Sequence, residues 1–116
     1  MKKNILISTG GSGGHVIPAI ILYEHLSDDR NVILSSDKRG LKYFDNSKYK
    51  FKIINTPKMK NIFFFPFNLI IILFLIFKSF FLIKKNRIEE VFSTGGYMSL
   101  PVILAARFLN LNIYLI

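Results

Sequence analysis

The stretch on which the fold turns is Asn4-Ile5-Leu6-Ile7-Ser8-Thr9-Gly10-Gly11-Ser12-Gly13-Gly14-His15-Val16-Ile17-Pro18. Residues 4–9 read as a buried strand, a short continuous apolar run closed by turn residues. Four glycines in the five positions 10–14 follow. A helix is expected over 16–27, with Pro18 in its first turn, where a missing N–H costs nothing. Val16, Ala19, Ile20, Tyr23 and Leu26 recur at roughly helical spacing. Glycines between a strand and a helix let a ligand approach the backbone, because there is no Cβ in the way. The free N–H groups of the helix's first turn point to the same place and favour negative charge. His15 stands at the lip, as a general base or as a hydrogen-bond donor to a phosphate. A plain turn needs fewer glycines than this. For His15 the plain alternative is a capping or solvent-exposed side chain.

Outward from this stretch, apolar runs and helical patterns alternate. Residues 31–36 read as a second strand and 41–45 as a short helix. Residues 50–56 read as a third strand near an edge, because Lys50 and Lys52 alternate with Phe51 and Ile53 before Pro57. A fourth strand is expected over 88–93, then Gly95-Gly96-Tyr97, a helix opening at Pro101, and a fifth strand over 111–116. The alternation predicts an α/β fold, a Rossmann-like parallel sheet with helices on both faces. Ligands of such sheets bind beyond the carboxyl ends of the strands. Both glycine clusters follow strands directly, so both belong to that edge. There Gly95 and Gly96 offer backbone amides, Tyr97 a phenol that can stack on a sugar or bond a phosphate, and Ser99 a hydroxyl.

With 116 residues, one domain is expected. Residues 112–116 read as a strand stopped in mid-course, which predicts a fragment or a chain that stops inside a domain. Cysteine is absent, so disulfides, thiolate nucleophiles and Cys-based metal sites are excluded. No His/Asp/Glu cluster has metal-ligand spacing, and no secretory signal opens the chain. The formal net charge is +9. Lys38, Arg39, Lys42, Lys48, Lys50, Lys52, Lys58 and Lys60 face only Asp45 in their stretch. Such an excess suits nucleic acid, anionic lipid or a phosphorylated substrate. Nucleic acid is the weakest of these, since no recognition motif is present and the phenylalanines sit in one solid run rather than among the charges.

That run, 62–83, is broken only by Pro66, Asn68, Lys78 and Ser79. As a helix it would be about 33 Å long, enough to cross a bilayer core of about 30 Å. Three readings compete: a spanning helix, a buried crossover helix, and a helix lying on a membrane surface. Lys58 and Lys60 before the run and Lys84, Lys85 and Arg87 after it assign no orientation to a span. A span would also split the sheet and separate the two glycine loops. A helix apolar all round cannot be covered by one sheet face. The surface reading is therefore preferred, with Phe67, Leu69, Ile70, Leu73, Phe74, Phe77 and Phe81 as the apolar patch and Lys78, Lys84 and Lys85 at its rim.

The glycine loop is neither a P-loop, since the lysine is missing, nor a clean dinucleotide fingerprint. Asp37, after the second strand, is the one candidate for a ribose partner. Ser12 lacks the nucleophile-elbow pattern, and His25 reads as a surface residue. Taken together, Gly10-Gly11-Ser12-Gly13-Gly14-His15-Val16-Ile17-Pro18 and Gly95-Gly96-Tyr97-Met98-Ser99-Leu100-Pro101 resemble the N-terminal domain of the MurG family, within glycosyltransferase family 28. Ser12 stands where the family has threonine, and Leu100 where it has glycine. The resemblance covers nearly the whole chain.

The resemblance implies the partial N-terminal, acceptor-binding domain (1–116) of a GT-B glycosyltransferase. Its reaction is inverting transfer of N-acetylglucosamine from UDP-N-acetylglucosamine to undecaprenyl-diphospho-muramoylpentapeptide, with no cofactor and no metal. By the same resemblance Gly11, Ser12, Gly13 and Gly14 touch substrate, His15 acts at the acceptor hydroxyl or diphosphate, and the membrane patch lies near 62–85. The expected location is peripheral, on the cytoplasmic face of the bacterial plasma membrane. The family's His-Glu-Gln-Asn segment and donor domain are not in these residues, which alone are expected to be inactive. Two other readings stand beside it: a non-catalytic, membrane-associated acceptor-binding subunit of a two-chain transferase, and a small integral membrane protein.

Overall fold

A computed structural model describes residues 3–10, 13–43, 51–53, 65–94 and 99–116, with only the backbone described at 13, 41–42, 51–53 and 65–68. Among the described residues, five strands, β1 (Asn4–Ser8), β2 (Asn31–Ser36), β3 (Phe51–Ile53), β4 (Glu90–Ser93) and β5 (Asn112–Leu115), form one sheet. The order is β3-β2-β1-β4-β5 and every pairing is parallel. Among the described residues, α1 (Gly13–Leu26) lies between β1 and β2, α2 (Phe65–Lys85) between β3 and β4, and α3 (Leu100–Phe108) between β4 and β5. The third strand does lie at an edge. The expected short helix at 41–45 is instead a 3-10 helix over Lys38–Tyr43.

Side-chain alternation in β1 builds two cores. Ile5 and Ile7 face α1 with Ala19, Val32 and Leu34. Leu6 faces the other way, with Leu75 and Ile83 of α2, Val91 of β4, and Val102, Ala105 and Ala106 of α3. A strand buried on both faces needs the unbroken apolar run that its sequence has. α1 starts at Gly13, earlier than expected, so Pro18 is its sixth residue rather than part of its first turn. The proline ring leaves the Gly14 carbonyl without its i+4 donor. α2 and α3 both end on a residue in the left-handed region, Arg87 (φ 52°) and Asn110 (φ 58°). The six-to-one bonds from Ile88 N–H to Ile83 O (2.9 Å) and from Leu111 N–H to Ala106 O (3.0 Å) close these ends.

Asp37 is only 3% exposed and is a structural anchor rather than a ribose partner. Its carboxylate accepts from Gly40 N–H (3.1 Å) and Arg39 Nε (3.0 Å), pinning the 3-10 helix to the end of β2. Gly10 packs directly against it. A Cβ on Gly10 would stand 2.8 Å from Asp37 Oδ1, and its φ of +149° suits few L side chains. Gly10→Ala in the complete protein is expected to cost about 2–4 kcal/mol, combining backbone strain and overpacking. Chemical denaturation measures this, and an unchanged midpoint would refute the close packing.

Candidate functional site

The β1/β4 boundary is the topological switch point: β1 leads to α1 on one face, and α2 delivers the chain to β4 from the other. Pairing sets Ser8 beside Ser93, so the next residues, Thr9 and Thr94, stand side by side where the strands end. Both are buried. The Thr94 hydroxyl donates to Thr9 Oγ1 at 2.7 Å, and Thr9 Oγ1 donates to the backbone carbonyl of His15 at 3.0 Å. His15 Nδ1 lies 3.0 Å from the Thr94 carbonyl. A carbonyl only accepts, so Nδ1 carries the hydrogen. The three residues thus close a ring that joins β1, β4 and the first turn of α1.

His15, half-buried, and Gly14, exposed, therefore stand where α1 directs its free N–H groups. The backbone of Gly13 opens that helix. Ser99 is fully buried, and its hydroxyl donates to the Ser8 carbonyl at 3.3 Å, bracing α3 against β1. Gly11, Ser12, Gly95, Gly96 and Tyr97 lie outside the described residues. His25 is exposed on α1. Among the described residues no group of His, Cys, Asp and Glu is placed to hold a metal ion. Reading the residues singly passed over Thr9. The available signal was the recurrence of Ser-Thr-Gly-Gly at 8–11 and 93–96.

A second surface lies on the α2/α3 side. Ile72, Leu75, Ser79 and Ile83 of α2 are buried, while Leu69, Ile70, Leu73, Phe74, Phe77, Lys78, Phe81, Lys84 and Lys85 are exposed. The phenylalanine exposures are large: 69% at Phe74, 65% at Phe77, 70% at Phe81 and 80% at Phe108 of α3. Phe67 belongs to α2, with its side chain outside the described residues. Between the helices runs an apolar groove of about 560 Å³ lined by Leu73, Phe77, Phe80, Phe81, Leu104 and Phe108. Phe80 and Phe108 meet edge to face at 6.1 Å, and Lys84 Nζ sits 5.4 Å from the Phe80 ring centre. α2 thus buries one stripe against the sheet and α3 and leaves the opposite stripe open. Among the described residues no helix is long and apolar enough to cross a membrane.

Known proteins match along almost the full chain. Residues 5–115 fit the glycosyltransferase family 28 N-terminal domain. A relative from Pelagibacter ubique (strain HTCC1062), named UDP-N-acetylglucosamine--N-acetylmuramyl-(pentapeptide) pyrophosphoryl-undecaprenol N-acetylglucosamine transferase, is 53% identical over 116 residues, covering 99% of this chain and 33% of its own. A protein of the same name from Prochlorococcus marinus subsp. pastoris is 40% identical over 98% of this chain and 32% of its own. The chain thus spans about a third of the length of the curated relatives it matches. The crystal structure of Acinetobacter baumannii MurG superimposes with a TM-score of 0.80 at 24% identity, covering 97% of this chain and 34% of that one. A glycosyltransferase from Rickettsia africae gives 0.73 at 21% identity, covering 98% and 29%. These neighbours share the Rossmann-like half of the GT-B architecture expected above. The chain belongs to glycosyltransferase family 28 and carries that family's N-terminal domain.

Proposed function

We propose that the complete protein transfers N-acetylglucosamine from UDP-N-acetylglucosamine to an undecaprenyl-diphosphate-linked muramoylpentapeptide, and that these residues bind the acceptor. The observation that carries this is the closed ring of Thr9, His15 and Thr94 at the amino end of α1, in a chain whose relatives bear that enzyme's name. The acceptor diphosphate sits against the free amides of α1's first turn, where the helix end favours negative charge. Nε2 of His15 takes the proton from the acceptor hydroxyl as its oxygen bonds to the anomeric carbon of the donor. The bond from that carbon to the UDP oxygen breaks and UDP leaves with the electron pair, inverting the carbon. The open stripe of α2, with Lys84 and Lys85 at its end, rests on an anionic membrane surface. Its apolar rings enter the interface while the lysines meet lipid phosphates. This arrangement belongs to the cytoplasmic face of the plasma membrane, where both substrates would be met.

Incubating the complete protein with radiolabelled UDP-N-acetylglucosamine and the lipid-linked acceptor tests the reading. Label moving into the lipid fraction, dependent on acceptor, is the expected result. Release of label into water at the same rate with and without acceptor would overturn it. Label transferred only after a second polypeptide is added would favour the two-chain alternative.

A further inference from the structure

We propose that Thr9 and Thr94 are positioning residues that hold the His15 imidazole in its Nδ1–H tautomer and leave Nε2 as the nitrogen that accepts a proton. The inference rests on the function proposed above. It begins from the ring's chemistry: the partner of Nδ1 is a backbone carbonyl at 3.0 Å, which has no hydrogen to give. In a neutral imidazole whose Nδ1 is a donor, Nε2 is the acceptor. A histidine side chain free in water prefers the Nε2–H tautomer, so the protein has to impose this one.

The carbonyl that imposes it is itself held. Thr94 N–H donates to the Ser8 carbonyl at 3.2 Å, and its hydroxyl donates to Thr9 at 2.7 Å. Thr9 is held in turn, with its N–H donating to the Ser35 carbonyl at 2.8 Å. Its single hydroxyl hydrogen goes to the His15 carbonyl, so Thr9 Oγ1 can only accept from Thr94. Every hydrogen in the ring then has one direction. Thr9 is 2% and Thr94 6% exposed, so water does not compete for these bonds. When Nε2 gains a proton, the Nδ1–H bond to Thr94 stays as it was. Proton uptake therefore needs no ring flip and no movement of α1.

The test uses the complete protein with ¹⁵N-labelled histidine. Two-bond ¹⁵N–¹H correlation reads the tautomer directly, and the His15 signals are those lost in His15→Gln. Wild type is expected to show Nδ1–H alone in the neutral state. Thr9→Val removes two of the ring's three hydrogen bonds and leaves only that from Nδ1 to the Thr94 carbonyl, so Nε2–H should appear and kcat should fall about tenfold or more, with the KM for the sugar nucleotide unchanged. Thr9→Ser keeps the hydroxyl and should restore both the tautomer and kcat, which a purely structural role for the threonine methyl would not do. A wild-type protein in the Nε2–H form overturns the proposal, as does a folded Thr9→Val protein that retains pure Nδ1–H and full kcat. If the tautomer responds to Thr9→Val while transfer does not, the positioning holds and the role of His15 as base falls.

Discussion

Replacing His15 with alanine in the complete protein is expected to lower the turnover of transfer to the lipid-linked acceptor by about 10²–10⁴-fold, the range contributed by a positioned general base. The KM for UDP-N-acetylglucosamine should hardly move. His15 is tied to β4 through Thr94 and to β1 through Thr9, at the acceptor's proposed end of the site. The loss should therefore appear in kcat, as it does when an interaction made mainly in the transition state is removed. His25→Ala is the control, because that imidazole is exposed on α1. Circular dichroism guards against misfolding. Unchanged turnover in a folded His15→Ala protein would remove His15 from the chemistry.

Changing Phe74, Phe77 and Phe81 together to serine is expected to release the protein from vesicles containing anionic lipid. Each ring that enters the interface hides a large part of its apolar surface, contributing about 1 kcal/mol at partial depth. Three rings together make about 3 kcal/mol, roughly a hundredfold in partition coefficient. The three are already 65–70% exposed, so the fold should survive their loss. Vesicle co-sedimentation measures the effect. Replacing Lys84 and Lys85 with glutamine should weaken binding to anionic vesicles by about 1 kcal/mol per charge and leave neutral vesicles unaffected. Carbonate extraction should release the wild-type protein. Retention in the pellet, or unchanged sedimentation of the triple variant, would contradict surface docking.

The elements that one stretch of sequence can decide were legible. β1 is an apolar run with glycines behind it, and α2 is a long apolar segment whose charges begin only at Lys78. Even the open stripe of α2 followed from the sequence, because one side of a sheet cannot cover a helix that is apolar all round. What failed depended on neighbours. Pro18 marks the start of a helix in many chains, yet α1 begins at Gly13. Asp37 was the one candidate for a ribose partner without being a clear match, and its carboxylate is taken up by Arg39 and Gly40. Ser99 looked like a free hydroxyl beside a glycine loop and is instead buried against Ser8. Arg87 carries a left-handed turn without the glycine that normally signals one. The Thr9–Thr94 bond joins residues 85 apart in sequence, and only the parallel register of β1 with β4 brings them together.

The path of α2 also fixes a height. α2 joins two parallel strands, β3 and β4, so it must run the length of the sheet in the opposite sense. Its buried residues, Ile72, Leu75, Ser79 and Ile83, are spread along it. If its open stripe rests on a membrane, the strands lie flat above the lipid and their carboxyl ends open sideways. The imidazole of His15, level with the sheet through Thr94, then stands one helix layer up, on the order of 10 Å above the surface. α2 then becomes a spacer, and the proposed acceptor would have to carry its hydroxyl that far on its own polar arm. Under the proposed function, a lipid with a shorter arm would dock beside the protein yet never reach His15, so selection among lipids would begin with length.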